Sequence, residues 1–358
     1  MRWISRCDMS RSELFEKMFL SIFDPKKDER ILLLYDVPTP QIKDNEKWMK
    51  RRNFARRWFD LCSILSERIG FSVELMDMDA TGKMNGLISD DVKNRLKDYD
   101  IIIAITEFSV TSSLVSLVKS HKESIRCASM PQADQRMMNS VFSMDYTDVK
   151  RYAHLIKDLL EEAEYAHIRF NTNDTLVIDL RNRHAGADDG DCTYPGACIN
   201  LPSGEGFIAP YEGVDDEQQV FGTSNTQGIL PLIVDDQIIR CKIRENRIVG
   251  FDCPKLMMDS LNQFFDEFEN RRNIAELGIG CNPQARVTGN IIEDEKVGVH
   301  IAYGTSEHIG GRIKSDLHTD IVYAKGCPVT ADKLSLNFLD REPVDLVENA
   351  EIRYELLR

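Results

Sequence analysis

Residues 30–37 read R-I-L-L-L-Y-D-V, an almost unbroken apolar run closed by charges on one side and Pro38 on the other. A run of that length and texture predicts a strand buried on both faces of a parallel sheet. Ahead of it, Leu14, Phe15, Met18, Phe19 and Ile22 recur at helical spacing behind a capping pair, Ser10 and Glu13, until Pro25 stops them. The pattern then repeats: strands at 71–78, 100–106 and 124–128, with helices at 45–68, 90–96 and 111–120 between them. Strands alternating with helices predict an open α/β sheet with right-handed crossovers.

A further amphipathic helix at 149–165, with Tyr152, Leu155, Ile156, Leu159 and Leu160 on its apolar face, marks the expected domain connection. Beyond it the texture changes. Segments 167–180 and 229–252 read as strands and hairpins, the stretch between them is rich in Gly, Asp, Asn and Pro, and strands recur at 297–303, 317–324 and near Leu334 and Glu351. One helix, 254–268, carries Leu256, Met257, Leu261, Phe264, Phe265 and Phe268, which read as core. The fold class expected is therefore α/β: an N-terminal open-sheet domain over 1–165 and a C-terminal α+β domain over 166–358. Long polar segments inside folded domains tend to be functional loops.

Charge and composition narrow the function. The 358 residues hold 59 acidic and 45 basic side chains, a net charge of −14. That field repels phosphate backbones and anionic lipid, so neither nucleic acid nor a membrane is an expected partner. The apolar runs are far shorter than the roughly 18 residues of a membrane span. The opening residues carry too short an apolar stretch for a signal peptide, and the expected location is the cytoplasm. Nine cysteines without a C-x-x-C spacing read as reduced thiols, Cys192 and Cys198 included. The turn after the first strand, D-V-P-T-P, has no glycine to cradle a phosphate, which argues against dinucleotide or P-loop binding. Ser203 lacks the G-x-S-x-G elbow of a serine hydrolase.

Five residues have settings that suit a divalent metal. His318 and Asp320 lie two apart on an expected strand, so their side chains leave the same face. His300 lies in V-G-V-H-I-A-Y-G, and the glycine-bearing loop after it can return the chain antiparallel, making the two strands neighbours. An unpaired imidazole inside an apolar strand costs free energy, so a ligand role explains its presence. Glu205 in N-L-P-S-G-E-G and Glu276 in A-E-L-G-I-G are single acids in glycine-spaced segments. Two histidines with three carboxylates can hold a pair of divalent ions that activate a water and polarise a carbonyl together.

As a set, N-L-P-S-G-E at 200–205, A-E-L-G-I-G-C-N-P at 275–283, E-D-E-K-V-G-V-H-I-A-Y-G at 293–304 and S-D-L-H-T-D at 315–320 resemble the motif series of the thermophilic metallo-aminopeptidases, the aminopeptidase T and aminopeptidase S group. The resemblance implies a homodimeric hydrolase that releases N-terminal residues from peptides. It implies two ions (zinc, cobalt or manganese) on Glu205, Glu276, His300, His318 and Asp320, with Glu276 taking the proton of the attacking water. Where the family carries a catalytic tyrosine this chain has Glu307, which with its neighbour His308 becomes the expected proton-transfer position. The short loop between the His300 and His318 strands is also similar to the 2,5-dihydroxypyridine dioxygenases, which implies instead one iron(II) ion and ring cleavage of a small molecule. A chain that keeps the fold and works without turnover is the third reading.

Overall fold

The computed structural model describes residues 11–357, and the expected cap Ser10 lies outside them. The chain forms two units. The first comprises the chain up to Lys150 with Asp189–Ser203 and Pro283–Ala285. Its elements run α1 (Arg11–Phe23), β1 (Arg30–Val37), α2 (Glu46–Ile69), β2 (Ser72–Asp79), α3 (Asp90–Leu96), β3 (Ile101–Ile105), α4 (Thr111–Ser120) and β4 (Arg126–Ser129). With β8 (Cys198–Asn200), further along the chain, these strands make a parallel sheet in the order β2-β1-β3-β4-β8. The sheet is covered on both faces, as the apolar runs require. Leu33 and Ile103 pack with Phe15, Phe19 and Trp58 on one side, while Leu32, Leu34 and Ile102 pack with Leu96, Leu114 and Leu117 on the other. Asn45 caps α2 by accepting from the Lys47 and Trp48 amides, and Gly70 at φ 94° closes it. Cys192 and Cys198 are free thiols.

Helix α5 (Tyr146–Glu162) crosses from one unit to the next, so the boundary lies at Lys150 rather than at the expected residue 165. Side-chain destinations explain the shift: Tyr146 and Val149 join the first core, whereas Ala153, Ile156 and Leu160 join the second. The polar segment 189–203 likewise belongs to the first unit.

The second unit holds two sheets. The larger contains β5 (Tyr165–Phe170), β6 (Thr175–Asp179), β10 (Gln227–Val234), β11 (Gln237–Arg244), β12 (Arg247–Asp252), β16 (Ala331–Asn337), β17 (Val344–Glu348) and β18 (Glu351–Ile352), in the order β12-β11-β10-β6-β5-β16-β17-β18. The smaller contains β7 (Ala185–Asp188), β9 (Glu205–Ile208), β13 (Ile274–Gly280), β14 (Val299–Gly304) and β15 (His318–Val322), ordered β15-β14-β13-β9-β7 and antiparallel throughout. Leu277, Ile279, Val299, Ile301 and Ile208 bury one face of the smaller sheet in a core shared with the larger sheet and α5.

The helix expected at 254–268 is α7 (Lys255–Asp266), after α6 (Asp215–Phe221), but its reading as a core helix is corrected. Only Phe265 is fully buried, and Leu256 is 83% exposed. Phe264 and Phe268 instead flank the Arg271 guanidinium, each with its ring centroid 4.6 Å away. Among the described residues no helix is long and apolar enough to cross a membrane.

Candidate metal centre

Directly opposed residues of an antiparallel ladder share a face. In the smaller sheet Gly278 opposes His300, Glu276 opposes Ala302, Ala302 opposes Asp320, Gly304 opposes His318, and Glu205 is opposed by both Gly280 and Asp188. All five expected metal residues therefore leave the face turned away from the core. A bulge at Ala275 lets Ile274 and Leu277 both enter the core while Glu276 stays with the polar set. Small residues between the ligands make the room. A Cβ on Gly278 would lie 1.9 Å from His300 Nε2, so this position tolerates no side chain while the imidazole keeps its place. Gly278→Ala is expected to displace His300 and cost about 1–3 kcal/mol. Paired melts of the variant and wild type, with and without divalent metal, measure it.

Across this face cations and anions alternate. Glu205 Oε2 stands 3.4 Å from His300 Nε2, and His300 Nε2 stands 3.5 Å from Glu276 Oε1. Glu276 Oε2 is 3.1 Å from His318 Nε2, which is 3.4 Å from Asp320 Oδ1. Burial opposes ionisation of Glu276, yet the imidazoles on either side hold its carboxyl well below the usual range. Burial alone would lower both histidines. Glu276 and Glu205 outweigh it at His300, pushing it up to about 9, and Asp320 and Glu276 do so at His318, pushing it up to about 11.

Glu276, His318 and Asp320 each offer a ligand atom within 4.8 Å of the others. Donors about 2.1 Å from one ion in a tetrahedral array stand about 3.4 Å apart, close to the 3.1 and 3.4 Å that separate His318 Nε2 from Glu276 Oε2 and Asp320 Oδ1. His318 Nδ1 lies 2.7 Å from the Thr305 carbonyl, to which it donates, so that once the ring gives up its other proton the Nε2 lone pair faces the two carboxylates. The donor set therefore fits one divalent ion.

The expected second ion meets a lysine. Lys296 is 1% exposed, with Nζ 2.7 Å from Glu205 Oε1, 2.9 Å from Asp188 Oδ2 and 2.9 Å from Glu295 Oε1. Gly280 admits it: a Cβ there would strike the Glu295 carbonyl at 2.1 Å, so the glycine lets the 295–296 backbone cross the sheet. Burial would strip the Lys296 proton, but the three carboxylates hold it, raising the ammonium well above its ordinary value. The two-ion expectation finds no support here: one triad of ligand atoms comes together, and an ammonium stands beside Glu205. Lys296, Asp188 and Glu295 were missed at the sequence level, although E-D-E-K directly precedes the His300 strand.

Glu307, the expected proton-transfer residue, is exposed on a 3-10 turn (Glu307–Ile309). Its neighbour His308 is exposed too, but sets its ring perpendicular to that of His318 at 4.6 Å between centroids. Partial desolvation on its inner side and the adjacent His318 lower the His308 pKa. A cavity of about 570 Å³ lies elsewhere in this unit, walled by Glu212, Arg244, Arg247, Arg272 and Asn273, and none of the five residues lines it.

No protein-family model matches the chain, and no curated protein matches its sequence. Among solved structures the chain is similar to the 2,5-dihydroxypyridine dioxygenase of Pseudomonas putida KT2440, at 16% identity and a TM-score of 0.65, over 99% of this chain and 100% of that one. The likeness is one of fold. It spans both units.

Proposed function

We propose that this chain is a single-metal oxygenase that opens a small hydroxylated aromatic ring, with iron(II) held by Glu276, His318 and Asp320. Lys296 carries the reading. Two-ion water activation requires a second divalent cation beside Glu205, and an ammonium 2.7 Å from that carboxylate takes its place. What remains is a one-ion position with histidine and carboxylate donors and open coordination sites, a donor chemistry suited to iron. The fold-level likeness to a dioxygenase and the short loop between His300 and His318 support the same conclusion.

Iron(II) bound there would supply redox chemistry toward dioxygen and an acidic site for a ring oxygen. The chain's own residues do the rest. The Thr305 carbonyl holds the His318 tautomer, His300 bridges Glu276 to Glu205, and Lys296 keeps Glu205 fixed. His308, edge-on to His318, is the imidazole placed to take a proton from a ring hydroxyl at its free nitrogen.

Anaerobic reconstitution followed by metal analysis is expected to give about one iron per chain, and oxygen consumption with loss of ring absorbance on 2,5-dihydroxypyridine. Loading of about two zinc, cobalt or manganese ions with hydrolysis of aminoacyl anilides overturns the proposal.

A further inference from the structure

Glu212 is a buried carboxylate whose hydrogen bonds go to Arg183, Asn273, Ser306 and Arg312 rather than to the metal residues. Its side chain is 1% exposed, and four donors converge on it. Oε1 accepts from the Ser306 hydroxyl and, at 3.3 Å, from Asn273 Nδ2; Oε2 accepts from Arg183 Nη2 at 3.2 Å and from the Arg312 amide at 2.7 Å. Ser306 and Arg312 stand on opposite limbs of the loop joining β14 to β15. The same Asn273 amide also donates to the Gly304 carbonyl at 3.0 Å, where the loop begins. Gly311 packs against the join: a Cβ there would lie 2.2 Å from Ser306 Oγ and 3.1 Å from Glu212 Oε1.

This loop carries the two groups that act on His318. The Thr305 carbonyl, one residue before Ser306, accepts from His318 Nδ1, and His308, two residues after Ser306, sets its ring against the His318 edge. Orientation of a ligating imidazole by a partner on its other nitrogen sets how well it binds metal. We infer that Glu212 is a positioning residue for the metal ligand His318: it pins both limbs of the loop, and the loop presents the Thr305 carbonyl and His308 to the imidazole. The inference rests on the metal centre proposed above. It explains why a carboxylate is needed here, since all four groups facing Glu212 are donors and an amide would set its own NH2 against one of them.

Glu212→Gln and the milder Ser306→Ala, each compared with wild type, test it by titration with cobalt(II), read by visible absorption, alongside a thermal melt. The expected result is cobalt affinity at least about tenfold weaker with shifted absorption bands in protein that is still folded. Ser306→Ala keeps the test open if Glu212→Gln does not fold. Lower melting temperatures with wild-type cobalt affinity and band positions in the folded variants would mean that Glu212 only braces the fold, and would overturn the inference alone. A wild-type protein that binds no cobalt removes the metal centre, and the inference with it.

Discussion

Lys296→Met is expected to destabilise the protein by about 3–5 kcal/mol at neutral pH, the range seen when one partner of a buried ion pair is removed. Methionine keeps most of the length and volume and removes the charge with its three N–H donors, so the loss reports on electrostatics and hydrogen bonding rather than on packing. Asp188, Glu205 and Glu295 would then face one another with no cation between them. Burial already raises the carboxyls of Glu205 and Glu295 with the ammonium present. Removing it drives them further toward the protonated form, and the penalty shrinks as pH falls and they take up protons. In Lys296→Ala, where the side chain also vacates this position, a divalent ion can replace what was lost, because three carboxylates are a hard-cation donor set. The variant should therefore recover stability in millimolar manganese or magnesium, and its metal content should rise from about one ion per chain to about two. Calorimetry with and without metal, paired with elemental analysis, reads both effects. A variant as stable as wild type that still binds a single ion would show that the lysine does not stand in for a second cation.

Legibility followed burial pattern and failed where the deciding residue lay off that pattern. Strands β1 and β3 were readable because both faces are buried, so every position is apolar and no alternation has to be resolved. That His300, His318 and Asp320 gather on one face of β14 and β15 was readable for a related reason: a histidine inside V-G-V-H-I-A-Y-G interrupts an otherwise apolar run. Strands β7, β8 and β9 were not, since three or four residues among glycines and aspartates carry too little periodicity to stand out from a loop. Helix α7 misled because Phe264 and Phe268 have core spacing, whereas they cover the Arg271 guanidinium. The buried lysine was overlooked for a subtler reason. Lys296 sits in a charged turn that reads as solvated surface, and Gly280, which brings it inward, reads as a turn signal rather than as a passage for backbone.

Metal affinity is expected to rise steeply with pH, about tenfold per unit between pH 6 and 8 for each proton that the ion displaces. His318 must lose its proton to offer Nε2, and in the metal-free fold it is held protonated up to about pH 11 by Asp320 and Glu276, against the opposing effect of burial. One displaced proton gives a slope of one. His300 shares Glu276 with the ion and is held protonated up to about pH 9, so charge repulsion can expel its proton too and steepen the slope toward two. The metal-free protein runs the other way. A histidine whose pKa is raised in the fold contributes stability that is complete below its unfolded value of 6.5 and is lost as pH rises through its folded value. Metal-free protein should thus lose stability above pH 6.5 over the interval in which metal binds more tightly, and the gap between metal-free and metal-loaded melting temperatures should widen with pH. His318→Ala should flatten the slope and weaken binding, because it deletes both the donor atom and the proton that competes for it. Calorimetric titrations in buffers of different ionisation enthalpy count the released protons. A pH-independent affinity with no proton release would place the ion away from both imidazoles.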